Sequence, residues 1–147
     1  MDDDRIWEFE QELWTGPPDA YDRKVSDEVV MALPHDPWCL DGAQARESVK
    51  ATPRWERAEF LDKRVERPQE GLIVIAYRVK ASLGDKHYHA LCTSTLRRLE
   101  HEVWDVVQHQ QTPLGMAVAD PDEGGAGQDR VPSERASGSG PAASGQR

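Results

Sequence analysis

The stretch YHALCTSTLRRLEHEVWDVVQHQQTP, residues 88–113, decides the fold, because it reads as two β-strands joined by a tight polar turn and closed by a proline. Polarity alternates on either side of Leu99–Glu102, and Thr93, Thr95, Val103, Trp104, Val106 and Val107 favour extended backbone. The strands are expected over His87–Arg98 and Val103–Thr112.

Two more strand-like runs precede the hairpin. Trp55–Arg67 is heavily charged and so half exposed, whereas Gly71–Ala81 is the most apolar run and ends before the Gly84-Asp85 turn. Upstream, Arg5–Thr15 reads as an amphipathic helix capped by the N-terminal aspartates and stopped by Gly16-Pro17-Pro18. Ile6, Trp7, Phe9, Leu13 and Trp14 fall on one apolar arc at about 100° per residue. A short helix over Asp19–Val25 and a strand over Val29–Leu33, ended by Pro34, come next. After a loop from His35 to Leu40, Asp41 can cap a third helix over Gly42–Ala51, with Gln44 completing a capping box and Pro53 ending it. Helix, helix, strand, helix and four strands make an α+β domain, with three helices on one face of a mainly antiparallel sheet.

The ending Trp104-Asp-Val-Val-Gln-His-Gln-Gln-Thr112-Pro113 resembles the last strand of SnoaL-like proteins in the nuclear-transport-factor-2-like superfamily, which also holds ketosteroid isomerases and polyketide cyclases. The resemblance spans residues 3–114 and implies a strongly curved, cone-shaped sheet whose concave side is closed by the helices around one deep pocket. The isomerases of that superfamily carry a Tyr on the first helix, a base near the end of the first strand and an acid on a late strand. Here those positions fall on Phe9, Leu33 and Thr93, and a one-residue slip brings Glu10 or Asp36 nearer. The resemblance therefore implies the fold and the pocket but not that activity.

At 147 residues the chain is enough for one domain, and a folded part of about 110 residues buries roughly two thirds of its surface. Its formal net charge of −9 repels phosphate backbones and anionic lipid heads, so neither nucleic acid nor a membrane surface is expected as a partner. Met1-Asp2-Asp3-Asp4-Arg5 has no apolar run behind it, which reads as no signal peptide and hence a cytoplasmic protein. Cys39 and Cys92 are too few and too far apart for a disulfide framework and read as reduced, buried hydrophobes. Residues 115–147 are rich in Gly, Ser, Ala and Pro and are expected to form a disordered tail, which could be cut after about Ala119 with almost no loss of stability.

Glu10 is the one acid near the middle of the first helix's apolar arc. Facing inward, its carboxyl would be desolvated, raised in pKa and suited to general acid–base work; with a small rotation it would reach solvent or Arg5 instead. Asp36 is the other candidate base. In one hairpin register, a two-residue turn at Glu100-His101 sets Leu91 opposite Gln110 and puts Thr93, Thr95, Gln108 and Gln110 on one face with Val106 and His89, where amides and hydroxyls would orient a ligand. A one-residue slip exchanges that set for Cys92, Ser94, His109 and Gln111. The first register is preferred, because alignment with the isomerase hairpin puts the Val106 parity inside.

Trp14, Met31, Trp55 and Tyr77 are candidates for the remaining pocket wall, with Trp38 at its mouth, although such aromatics are usually plain core. His87 and His89 are two apart on a strand, but His109 falls on the other face from His89, so no metal site is expected, and no cofactor either. These residues together suggest a pocket for a small, largely apolar organic ligand. The alternatives are an isomerase, cyclase or dehydratase using Glu10 or Asp36 with Gln108 or Gln110 steadying an oxyanion, and a protein-association domain. A homodimer is expected, since Leu72–Val79 is apolar at both parities and both faces of that strand need cover.

Overall fold

The computed structural model describes residues Met1–Gly115. Apart from Gly115, the expected tail lies outside the described residues. Helix α1 (Asp3–Thr15) begins where the Asp2 carboxylate accepts the Arg5 N–H at 2.9 Å, and it stops at Gly16, where an added Cβ would lie 2.6 Å from the Glu12 carbonyl oxygen. Helix α2 (Ala20–Lys24) is a single turn, and α3 (Gly42–Ala51) opens with the anticipated capping box, in which Asp41 and Gln44 exchange two 2.9 Å hydrogen bonds.

The strands are β1 (Val25–Ala32), β2 (Cys39–Leu40), β3 (Arg57–Gln69), β4 (Leu72–Leu83), β5 (Lys86–Glu100) and β6 (Val103–Pro113). They form one mixed sheet in the order β2-β1-β6-β5-β4-β3, antiparallel except where β1 runs parallel to β6. The sheet is not closed, and register irregularities in β1, β3, β5 and β6 bend it. Ile6, Glu10, Leu13 and Trp14 of α1 are buried together with Ile73, Ile75, Tyr77 and Val79 of β4, and this contact is the centre of the core. No helix among the described residues is long and apolar enough to cross a membrane.

Two expectations are corrected. The first strand starts at Val25, not Val29, because Val25 already pairs with Val106; the polar run Ser26-Asp27-Glu28 that hid it is a bulge in which the Ser26 hydroxyl accepts the Glu28 N–H at 2.9 Å. The last hairpin turns at His101-Glu102, with Glu102 at φ 62°, so Leu91 faces Thr112 rather than Gln110. A two-residue shift alone would preserve the faces. What changes them is an irregularity between the Thr95–Gln108 and Leu96–Val106 pairs, which leaves Val107 as an extra residue.

Candidate functional site

The extra residue in β6 lets Val106 and His109, three positions apart, both point into the core, at 0% and 6% exposure. The inward set on the hairpin is thus Val106 with Cys92, Ser94, His109 and Gln111, while Thr93, Thr95, Gln108 and Gln110 face outward. There the four form a surface ladder, Thr93 to Gln110 at 3.0 Å and Thr95 to Gln108 at 2.9 Å, which corrects their expected place in the pocket. Asp36 and Trp38 are also placed elsewhere than expected: both are exposed in the loop between β1 and β2.

Glu10 does face inward and is fully buried. Its Oε2 accepts the Tyr77 hydroxyl at 2.5 Å and the Ser94 hydroxyl at 2.6 Å, and the Trp14 indole N–H donates to Tyr77 at 2.9 Å. Ser94 Oγ is also 2.7 Å from His109 Nδ1. Because the Ser94 proton is committed to Glu10, Nδ1 must be the donor and Nε2 the acceptor, and the Gln111 amide at 3.1 Å supplies that donor. Tyr88 then donates to Gln111 Oε1 at 2.9 Å. Two chains of hydrogen bonds, one from Trp14 and one from Tyr88, therefore end on the same carboxyl oxygen. Glu10 Oε1 has no partner among the described residues.

Burial sets the charge state of this network. Desolvation raises the Glu10 pKa, against the Ser94 and Tyr77 hydrogen bonds, and pushes His109 down to about 4. The 3.7 Å approach of His109 Nδ1 to Glu10 Oε2 is accordingly not an ion pair; both groups are driven toward neutrality, which spares the core two desolvated charges. Burial also pushes the Cys92 thiol up to about 12, so it is an inert core residue.

Against this network lies a cavity of about 70 Å³ lined by Leu13, Trp14, Tyr21, Met31, Arg54, Trp55, Val106, His109 and Gln111. Trp55, in the loop before β3, stacks on Tyr88 at 5.7 Å and forms one side of its mouth. Of the residues anticipated from sequence, Trp14, Met31, Trp55 and Val106 meet at this cavity, with Tyr77 one hydrogen bond behind it and Glu10 two. His109, Gln111 and Ser94 belong to the slipped register, whereas Tyr21, Tyr88 and Arg54 gave no sequence signal. Among the described residues no three His, Cys, Asp or Glu side chains cluster as metal ligands.

Solved structures match the architecture. This is the nuclear transport factor 2-like fold. A ketosteroid isomerase candidate from Parabacteroides distasonis is 20% identical, with 75% of this chain and 86% of that one covered at a TM-score of 0.66. A nuclear transport factor 2-like protein of unknown function in nutrient uptake from Rhodospirillum rubrum is 16% identical over 77% and 99% of the two chains, at 0.63. A candidate calcium/calmodulin-dependent kinase II association domain from Exiguobacterium sibiricum is 16% identical over 78% and 92%, at 0.60. No family model and no curated protein matches the sequence. At these identities the likeness carries the nuclear transport factor 2-like fold alone.

Proposed function

We propose that the protein binds a small, largely apolar organic molecule in the cavity between α1, the Trp55 loop and β6. The observation that carries this reading is a cavity bounded by Leu13, Trp14, Met31, Trp55 and Val106, with His109 and Gln111 as polar residues in its wall. Since a water needs about 10–15 Å³ on this measure, about 70 Å³ accommodates roughly five waters or an organic molecule of about four to six heavy atoms. A steroid skeleton has no room there. Thermal unfolding with a library of such small molecules tests the reading, because a ligand that binds only the folded chain raises Tm. The rise should vanish in Val106→Met, which fills the cavity; an unchanged rise in that variant would place binding elsewhere.

A second reading, proton-transfer catalysis, is favoured by the one-way chain from Tyr88 to Glu10. With Glu10 ionised and the Gln111 amide displaced from His109 Nε2 by the ligand, a ligand proton taken by Nε2 would be matched by Nδ1–H passing to Ser94 and the Ser94 proton passing to Glu10, and the reverse sequence would return it to a different atom of the same ligand. Glu10→Gln would then keep binding but lose solvent deuterium exchange into the ligand. Exchange at the wild-type rate in that variant would remove the carboxyl from the mechanism.

We further propose a cytoplasmic homodimer formed through the outer sheet face. Leu72, Val74 and Ala76 are only half covered there, and Val30 and Leu91 are 56% and 42% exposed. Sedimentation at micromolar concentration tests it, and a monomer would contradict it.

A further inference from the structure

Ten arginines lie among the described residues, and eight of them pair with a carboxylate within 4 Å: Arg5, Arg23, Arg46, Arg64, Arg67, Arg78, Arg97 and Arg98. The two that do not are Arg57, exposed on β3, and Arg54, half buried against the cavity. This is unexpected on composition, since the chain has 27 acids against 18 lysines and arginines. The Arg54 guanidinium is held in place without being neutralised. Its Nε donates to the Gly16 carbonyl at 2.8 Å, a terminal nitrogen donates to the Leu13 carbonyl, and the group sits 5.4 Å over the Tyr21 ring. Carbonyls at a helix C-terminus offset part of a cation's charge, but those two contacts use two of five N–H groups.

We infer that the ligand of this cavity is a small organic monocarboxylate of about two to four carbons, its carboxylate taken by Arg54 and the Tyr21 hydroxyl and its apolar end laid against Trp14, Met31 and Val106. The inference rests on the ligand-binding reading above and names the chemical class. Guanidinium is the side chain whose planar fork matches a carboxylate, and burying that pair beside aromatic walls strengthens it. The cavity's size agrees, because acetate has four heavy atoms and a three-carbon oxo or hydroxy acid has six. Charge also agrees: among the described residues no carboxylate lines the cavity, and Glu10 lies behind Ser94 and His109 with its pKa raised by burial.

The test compares acetate, propionate and butyrate with acetamide, propionamide and butyramide at constant ionic strength made up with chloride, reading Tm and heat of binding. The carboxylates should raise Tm by roughly 6 °C at ten times their Kd, and the amides should not. Arg54→Gln should abolish the difference between the two series, and Arg54→Lys should keep part of it. Should Arg54→Gln not fold, Val106→Met leaves Arg54 in place and must also remove the carboxylate effect. Equal shifts from acids and amides would overturn the carboxylate class while leaving the pocket intact; no shift from either series would overturn both; and a full carboxylate effect in Val106→Met would overturn the location.

Discussion

His109 Nδ1 and Glu10 Oε2 stand 3.7 Å apart in the core with the Ser94 hydroxyl bonded to both, at 2.7 and 2.6 Å. The serine lets an acid and a base share a buried site without exchanging charge, and its removal is the cleanest probe of the pair. Ser94→Ala should cost about 1–3 kcal/mol, since His109 loses its acceptor and Glu10 one of its two donors. Thr93→Ala, one residue away on the outer face, should stay within about 0.5 kcal/mol. Urea unfolding of the two variants distinguishes the faces directly, and a larger loss from Thr93 would contradict the register.

Glu10 carries a folded-state pKa raised by burial, so its contribution to stability is fully present below the unfolded carboxyl pKa and is lost as pH rises through the folded value. Glu10→Gln has nothing to ionise. The variant should therefore gain on the wild type from about pH 4.5 upward. A stability difference that stays flat between pH 4 and about 8 would show that the carboxyl pKa is not raised.

His109 runs the other way. Its folded pKa is depressed from the ordinary 6.5 to about 4, so its contribution is present above 6.5 and is lost as pH falls through about 4. The full effect is at most about 3 kcal/mol. In an NMR titration the His109 ring should stay neutral down to about pH 5. A His109 midpoint near 6.5 would mean the ring is wet.

Gly42 opens α3 where the helix meets β1. A Cβ there would lie 2.6 Å from the Ser26 carbonyl oxygen and 2.8 Å from Asp27 Cα, both backbone atoms. Gly42→Ala should destabilise by about 1–3 kcal/mol even though alanine is the better helix former. A rise in Tm would show that α3 can move off the strand.

The periodicity of α1, the Asp41–Gln44 box and the two strands of the hairpin are local signals, and each element appears in the fold, although the hairpin's register does not. Glu10 was legible for the same reason, since a helix angle is fixed by sequence spacing alone. Val106 was read correctly as inward, but the parity argument that carried the inside to Gln108 and Gln110 failed at Val107. A bulge has no polarity signature of its own, because three valines and a tryptophan around it suit either face. Arg54 was invisible for a different reason: its neighbours, Leu13, Gly16 and Tyr21, are distant in sequence and contribute mainly backbone carbonyls, which no residue pattern announces.

The pairing of β1 with β6 puts Val25 beside Val106, 106 − 25 = 81 positions apart. No local contact can substitute for it, so the wall that carries Met31 and His109 is assembled only when the two distant segments meet. Contacts of such long sequence separation slow folding, because loop closure must be met before they stabilise anything. On a ribosome, β3, β4 and β5 can pair as a meander while Val106 and His109 are still to be made, leaving the edge of β5 and the strand β1 without their partner. The cavity is thus the last part of the domain to exist during synthesis, and the strand that completes its wall is the one whose delay leaves an open sheet edge on the nascent chain.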